Sequence, residues 1–282
     1  MRIFKKILNY AIKCRKFQIS INNEIKNGKF NLPIHLAFGH EFVSSLVRAN
    51  FNAGKDSLLL THRNIHFTSI FSKFAKRNYN FFKKKNFLTN KNYGSMNYSD
   101  DYSDIRYTSS ILGNNFAVAC GIAETIKNKK SLVVCVTGDG AIEEGTFYES
   151  LILAKSLNLK IIFVVENNNL SMATTIKERR CNINLKKIAS SVNVDYFYFK
   201  RLNLIFNIKQ YEAIVKKVRE NSNPVICEFN VSTLGSIATD TKVLRYHHGP
   251  MELNIKDNIF IKKNNEDILY FMTQTLGNKN DY

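Results

Sequence analysis

The spacing of apolar positions changes character three times along the chain. At the N-terminus Ile3, Ile7, Tyr10 and Cys14 recur every three to four residues, which predicts an amphipathic helix. From residue 30 to residue 110 no period is sustained, and a mixture rich in Asn, Lys, Tyr and Phe reads as loops with short helices. Beyond Gly113 the stretch FAVACGIAETIK carries small residues at close intervals, as a tightly packed helix would.

The pattern then becomes one of buried strands and crossovers. Residues 131–137 (SLVVCVT) and 160–166 (KIIFVVE) are short, nearly continuous apolar runs. Between them, residues 145–157 put Phe147, Leu151 and Ala154 on one helical face. Strand, helix and strand within about 35 residues form a βαβ unit, which implies a parallel pair. Residues 194–199 and 225–231 repeat the strand pattern around a helix expected over 209–221. The expected fold is α/β, a mostly parallel sheet with helices on both faces, in one domain spanning residues 1–282.

Sheets of this kind bind ligands at the carboxyl ends of their strands. There the first strand runs into Gly138-Asp139-Gly140 and the second into Glu166-Asn167-Asn168-Asn169, with 26 residues (141–166) between the GDG and the Asn run. Adjacent parallel strands would bring a carboxylate and a carboxamide to the same edge. Such hard oxygen donors suit Mg²⁺, which completes its shell with water and ligand phosphates. The glycines allow backbone N–H groups to approach a diphosphate. GDG alone is a common strand-ending turn; its pairing with the Asn run across a strand–helix–strand pattern makes the signal specific. Glu143 and Glu144 would oppose a phosphate at the following helix tip, so the metal is expected to supply much of the charge compensation.

Charge changes the picture little. The net charge of +18 admits a nucleic-acid reading, but the lysines are dispersed, and Lys83, Lys84 and Lys85 form the only tight run, read as a solvated loop. No nucleic-acid partner is expected. No apolar run reaches the roughly 18 residues of a membrane span, and a hydrophobic content of 44% is that of a globular chain. Cys14, Cys120, Cys135, Cys181 and Cys227 show no CxxC pair, which fits reduced thiols in a cytoplasm. The basic start of the chain also fits a transit peptide; its apolar spacing favours a structural helix.

The segment GDGAIEEGTFYESLILAKSLNLKIIFVVENNNLSM resembles the thiamine-diphosphate motif in the alpha subunit of the first component of 2-oxo acid dehydrogenases. The likeness is collinear over roughly residues 7–250. LPIHLAFGHE (32–41) is similar to the family's stretch ending in GQE, LLTHRNIHF (59–67) to its TYRxHG segment, and YGSMN (93–97) to its GGSMH. ILGNNFAVACGIA (111–123) resembles its IVGAQxPLAxGxA helix, and LRYHHGP (244–250) its YRYxGHS. The N-terminal helix carrying CRKF also matches a family helix with a basic pair.

The resemblance implies a thiamine-diphosphate-binding fold and a set of roles. Asp139 and Asn168 would hold Mg²⁺ through their side chains and Leu170 through its carbonyl. Gly138, Gly140 and Ala141 would line the diphosphate, with Gly140 and Ala141 offering N–H groups. Arg63 would pair with a diphosphate oxygen, and Leu112 would meet the aminopyrimidine through its backbone. The chain also departs from the pattern. His62 replaces an aromatic, His40 replaces a Gln, and His247-His248-Gly249 stands where the family keeps His-Gly-His. His62, His247 and His248 are the candidate acid–base residues, whereas His35 and His66 read as surface or core residues.

By the same resemblance the glutamate that activates the cofactor belongs to a separate beta-type subunit, and no residue here stands in for it. The chain would then be half of an active site, within an α2β2 assembly, acting on a 2-oxo acid. Three readings stay open: acyl transfer to a lipoyl carrier, carbon–carbon bond formation of the acyloin or ketol type, and a non-catalytic relative that keeps the fold.

Overall fold

A computed structural model describes residues 2–30, 32–83, 103–126, 130–172, 174–237 and 249–277. The chain forms two compact units: Met1–Ala49 with Arg63–Asn97 and Ser232–Tyr282, and Asn50–His62 with Tyr98–Val231.

The second unit is built on six parallel strands. These are β1 (Ser57–Thr61), β2 (Ile105–Ser109), β3 (Val133–Gly138), β4 (Ile161–Asn167), β7 (Asp195–Phe199) and β8 (Val225–Asn230), in the order β2-β1-β3-β4-β8-β7. A small antiparallel pair, β5 (Leu170–Ser171) and β6 (Thr174–Thr175), follows β4. Alternation along each strand divides the apolar side chains between two faces. One face presents Leu59, Val133, Cys135, Ile161, Phe163 and Val165, all buried, to three helices. These are α5 (Asn114–Thr125), α6 (Gly145–Ser156) and α8 (Leu185–Ser191). Phe116 and Phe147 meet there with ring centres 5.0 Å apart, and Phe147 lies edge-on to Phe163. The other face carries Phe229, stacked on Phe199 at 4.2 Å and covered by Tyr211 of α9 (Leu204–Asn221). Each such side chain removed from water contributes roughly 1.5–3 kcal/mol.

The strands expected over 131–137, 160–166, 194–199 and 225–231 all form, within one or two residues at their ends. Two expectations need correction. The stretch read as loops with short helices supplies β1 and β2, whose Leu58–Leu60 run is too short to show a period and becomes a strand by pairing with β3. The helix expected from Lys209 begins at Leu204, because Leu204, Asn207 and Ile208 are buried and continue its inner face.

The first unit is mainly helical, with a short antiparallel pair between Ser236–Ile237 and Met251–Glu252. Its α1 (Arg2–Lys26) buries Phe4, Ile7, Leu8, Ala11 and Cys14 along one stripe and packs against α2 (Glu41–Ala49) and α3 (Ile65–Phe71). The same stripe buries Arg15. Its guanidinium donates to Glu41 at 2.6 Å and forms a fork onto Asp267 at 2.9 Å through both terminal nitrogens, with all three side chains shielded from solvent. Glu41 also accepts the Gly39 N–H, and Gln18 accepts that of Ala37. The loop before α2 is therefore tied to α1 by its backbone. Among the described residues, no helix is long and apolar enough to cross a membrane.

Candidate functional site

The carboxyl edge of the parallel sheet gathers most of the predicted residues. His62 follows β1, Leu112 follows β2, Asp139 and Gly140 follow β3, and Asn168 and Leu170 follow β4. Strands β3 and β4 pair in register up to Gly138 opposite Glu166, so Asp139 and the Asn run leave neighbouring strands at one level. The order of the strands reverses between β1 and β3, since β2 lies outside β1 and the later strands lie beyond β3. That reversal makes this edge the place where an open α/β sheet offers a crevice.

Asp139 is only 2% exposed. Burial pushes its carboxyl above the ordinary carboxylate range, against the opposing pull of the Arg179 guanidinium. Arg179 donates to its Oδ2 at 2.6 Å. After Asp139 the chain makes a 3₁₀ turn, Ala141–Glu143, with Gly140 at its cap. A Cβ on Gly140 would lie 2.7 Å from Oγ and 3.1 Å from Cβ of Ser171, so the Ser171 side chain on β5 occupies the space that any side chain would need. Gly113 is similarly confined. At φ +78°, a side chain there would strike Thr146 and Glu144, and Thr146 donates to its carbonyl at 3.1 Å. That contact pins the loop carrying Leu112 to the start of α6, while Ile111 (69% exposed) and Leu112 (39%) project outward.

The Asn run is a built turn. Asn167 Oδ1 accepts the Asn169 N–H at 3.0 Å, and Asn168 Oδ1 accepts that of Leu170 at 3.0 Å. Asn167 in turn donates to Glu228 at 2.6 Å, and Glu228 accepts the Tyr196 hydroxyl at 2.5 Å. Burial and the Glu228 carboxylate raise the Tyr196 phenol well above its usual range. Carboxylate, carboxamide and backbone carbonyl make up an oxygen-only donor set, which fits a hard cation such as Mg²⁺.

The sequence reading missed the cations at this edge. Arg179 Nε and Arg180 Nε both donate to Glu143 Oε1, at 2.7 and 2.6 Å. The acidic residue expected to oppose a phosphate is thus paired with two guanidiniums. Their signal was the adjacent pair in IKERRC, 11 positions beyond Asn168 (179 − 168), with no apolar period to anchor it.

The other predicted residues lie elsewhere. Arg63 belongs to the first unit, where its guanidinium donates to the Leu36 carbonyl. In that unit His40 Nε2 is 3.0 Å from the Thr233 hydroxyl and the His40 ring lies edge-on to His66. His35 and His66 are buried, as core histidines would be. His62 is half-buried. His247 and His248, with the YGSMN segment, lie outside the described residues.

Comparison with known proteins agrees with this architecture. The family described as Dehydrogenase E1 component matches residues 11–198. Similar curated proteins include the alpha subunit of acetoin:2,6-dichlorophenolindophenol oxidoreductase from Bacillus subtilis, 29% identical over 220 residues, covering 77% of this chain and 66% of that protein. The pyruvate dehydrogenase E1 component subunit alpha of Rickettsia prowazekii is 29% identical over 137 residues, covering 48% of this chain and 42% of that protein. The chain thus spans less than two thirds of the length of these relatives. Among solved structures, transketolase from Pichia stipitis superposes with a TM-score of 0.60 at 15% identity, covering 98% of this chain and 45% of that one. Transketolase from Campylobacter jejuni gives 0.58 at 13% identity, covering 100% and 48%. The fold is the expected α/β thiamine-diphosphate-binding type, and the chain belongs to the dehydrogenase E1 component family as a divergent, alpha-subunit-like member.

Proposed function

We propose that the chain is the thiamine-diphosphate- and Mg²⁺-binding alpha-type subunit of a 2-oxo acid decarboxylating dehydrogenase-like enzyme, residues 1–282 acting as one domain beside a separate beta-type subunit. The observation that carries this reading is the pair of in-register strands that end in Asp139 and in the Asn167–Asn169 turn. Asp139, Asn168 and the Leu170 carbonyl would hold the metal, and the Gly140 and Ala141 amides would face the diphosphate, with Gly138 beside them. Arg63 would supply a further cation and the Leu112 backbone would orient the aminopyrimidine. Thiamine diphosphate, when bound, supplies the carbanion chemistry of 2-oxo acid decarboxylation. This chain's part is to bind, orient and keep the anionic end neutralised.

His62, His247 and His248 are the acid–base candidates on the substrate side. The beta-type partner, in an α2β2 assembly, would supply the activating glutamate, and a lipoyl carrier would take the acyl group. Free thiols, buried at Cys14, Cys120, Cys135 and Cys227 and exposed at Cys181, support a reducing, cytoplasmic setting. The displaced histidine in His247-His248-Gly249 favours a second reading, in which the acyl group goes instead to an aldehyde or ketone with formation of a carbon–carbon bond. The test is turnover of 2-oxo acids by the purified chain with and without a beta-type subunit. Turnover only with the partner is expected, and lipoamide against an aldehyde acceptor separates the two readings. Ordinary enzymatic rates from the chain alone would contradict the half-site proposal.

A further inference from the structure

We infer that Arg179 is a positioning residue that competes with the metal ion for Asp139 and so sets how readily the site is loaded. The inference rests on the proposed metal-binding role of Asp139. Arg179 Nη2 lies 2.6 Å from Asp139 Oδ2, with the carboxylate almost wholly buried and the arginine side chain only 13% exposed. A divalent ion taken up by that carboxylate would meet a positive charge already in contact with it, in a shielded place where like charges repel strongly. The bond from Nη2 to Asp139 must therefore lengthen or break as the metal arrives.

The rest of the geometry fits a group able to move. Arg179 is held at three points: Nε donates to Glu143 at 2.7 Å and Nη1 to the Thr174 carbonyl at 3.1 Å, besides the bond to Asp139. Loss of the Asp139 contact leaves the other two in place, so no charge is orphaned. The short turn that carries it, α7 (Ile176–Arg179), is fixed by a reciprocal cap in which the Glu178 carboxylate accepts both the Thr175 N–H, at 2.7 Å, and its hydroxyl, at 2.8 Å. The neighbouring Arg180 makes its ion pair with Glu143 and acts on Asp139 only through a weaker electrostatic pull than that of Arg179. It serves as the internal control, equal in charge and one residue away.

The test is the Mg²⁺ concentration giving half of the melting-temperature shift at fixed, saturating thiamine diphosphate, measured on the full chain together with any subunit that co-purifies. Arg179→Gln is expected to lower that concentration about tenfold, against less than twofold for Arg180→Gln; Asp139→Asn should abolish the shift in either background. An unchanged requirement in Arg179→Gln, with an Asp139-dependent shift in the wild type, overturns the competition and leaves the metal site standing. A raised requirement also overturns it and makes Arg179 a diphosphate ligand. Absence of any Asp139-dependent Mg²⁺ shift in the wild type overturns the metal site and the competition together.

Discussion

The carboxylate of Glu228 accepts the side-chain amide of Asn167 at 2.6 Å, across the β4–β8 pair. Because Asn167 also accepts the Asn169 N–H, this bond fixes the turn on which Asn168 and Leu170 are carried. Glu228 never reaches the proposed metal, yet it orients the groups that would.

Replacement of Glu228 by Gln should therefore weaken cofactor loading more than it weakens the fold. Loss of a partner behind a metal ligand costs about 10–100-fold in metal affinity, whereas one disturbed buried hydrogen bond costs about 1–3 kcal/mol of stability. Titration of Mg²⁺ at saturating thiamine diphosphate, beside urea unfolding of the unliganded chain, measures both. Loss of stability with unchanged metal affinity would make Glu228 purely structural.

Gly140→Ala should distort the site from the other side. Its Cβ would sit 2.7 Å from the Ser171 hydroxyl, and overpacking of this kind costs about 1–3 kcal/mol. Relief by Ser171 would move the segment that carries the Leu170 carbonyl, so a lower melting temperature and weaker Mg²⁺ binding are expected together. Both should recover in the Gly140→Ala, Ser171→Gly double variant. Failure to recover would show that the glycine is required for another reason.

The first unit carries its own pH signature. Burial of Asp267 raises its carboxyl, but the Arg15 guanidinium and the N–H groups of Ile261 and Leu269 outweigh it and hold the group below its ordinary range. A depressed folded-state value contributes stability that is fully present above the unfolded carboxylate's value near 4 and is lost as pH falls through the folded one. Unfolding free energy should accordingly decline below about pH 4. Asp267→Asn should show less of that decline and lose about 3–5 kcal/mol at neutral pH, because Arg15 loses one of its two carboxylates and keeps Glu41 and the Ile259 carbonyl. An equal acid slope in both proteins would remove Asp267 from the account.

How far the sequence spoke depended on the physical range of each signal. Strands β3, β4, β7 and β8 and helices α1, α5 and α6 were legible because each repeats an apolar pattern along its own length. Strands β1 and β2 were not, since five residues flanked by polar ones acquire strand character only from their neighbours in the sheet. Asp139, Gly140 and Asn168 were legible as motif residues at strand ends. Arg179 was not, because an arginine in an aperiodic loop gives no sign of which carboxylate it will meet. The same holds for Glu228, 61 positions from the Asn167 it anchors, and for Asp267, 252 positions from Arg15.

Thiamine diphosphate is proposed to sit at the carboxyl edge of β3 and β4, held through a metal ion. Thermal unfolding of the chain, in the assembly in which it purifies, with and without Mg²⁺ and thiamine diphosphate tests it most directly. A ligand at about 100 times its dissociation constant adds roughly 2.7 kcal/mol, or about 5–10 °C for a chain of this size. A shift of that order is expected that requires both ligands together and vanishes in Asp139→Ala. No shift even with a beta-type subunit present, or an equal shift in Asp139→Ala, would contradict it.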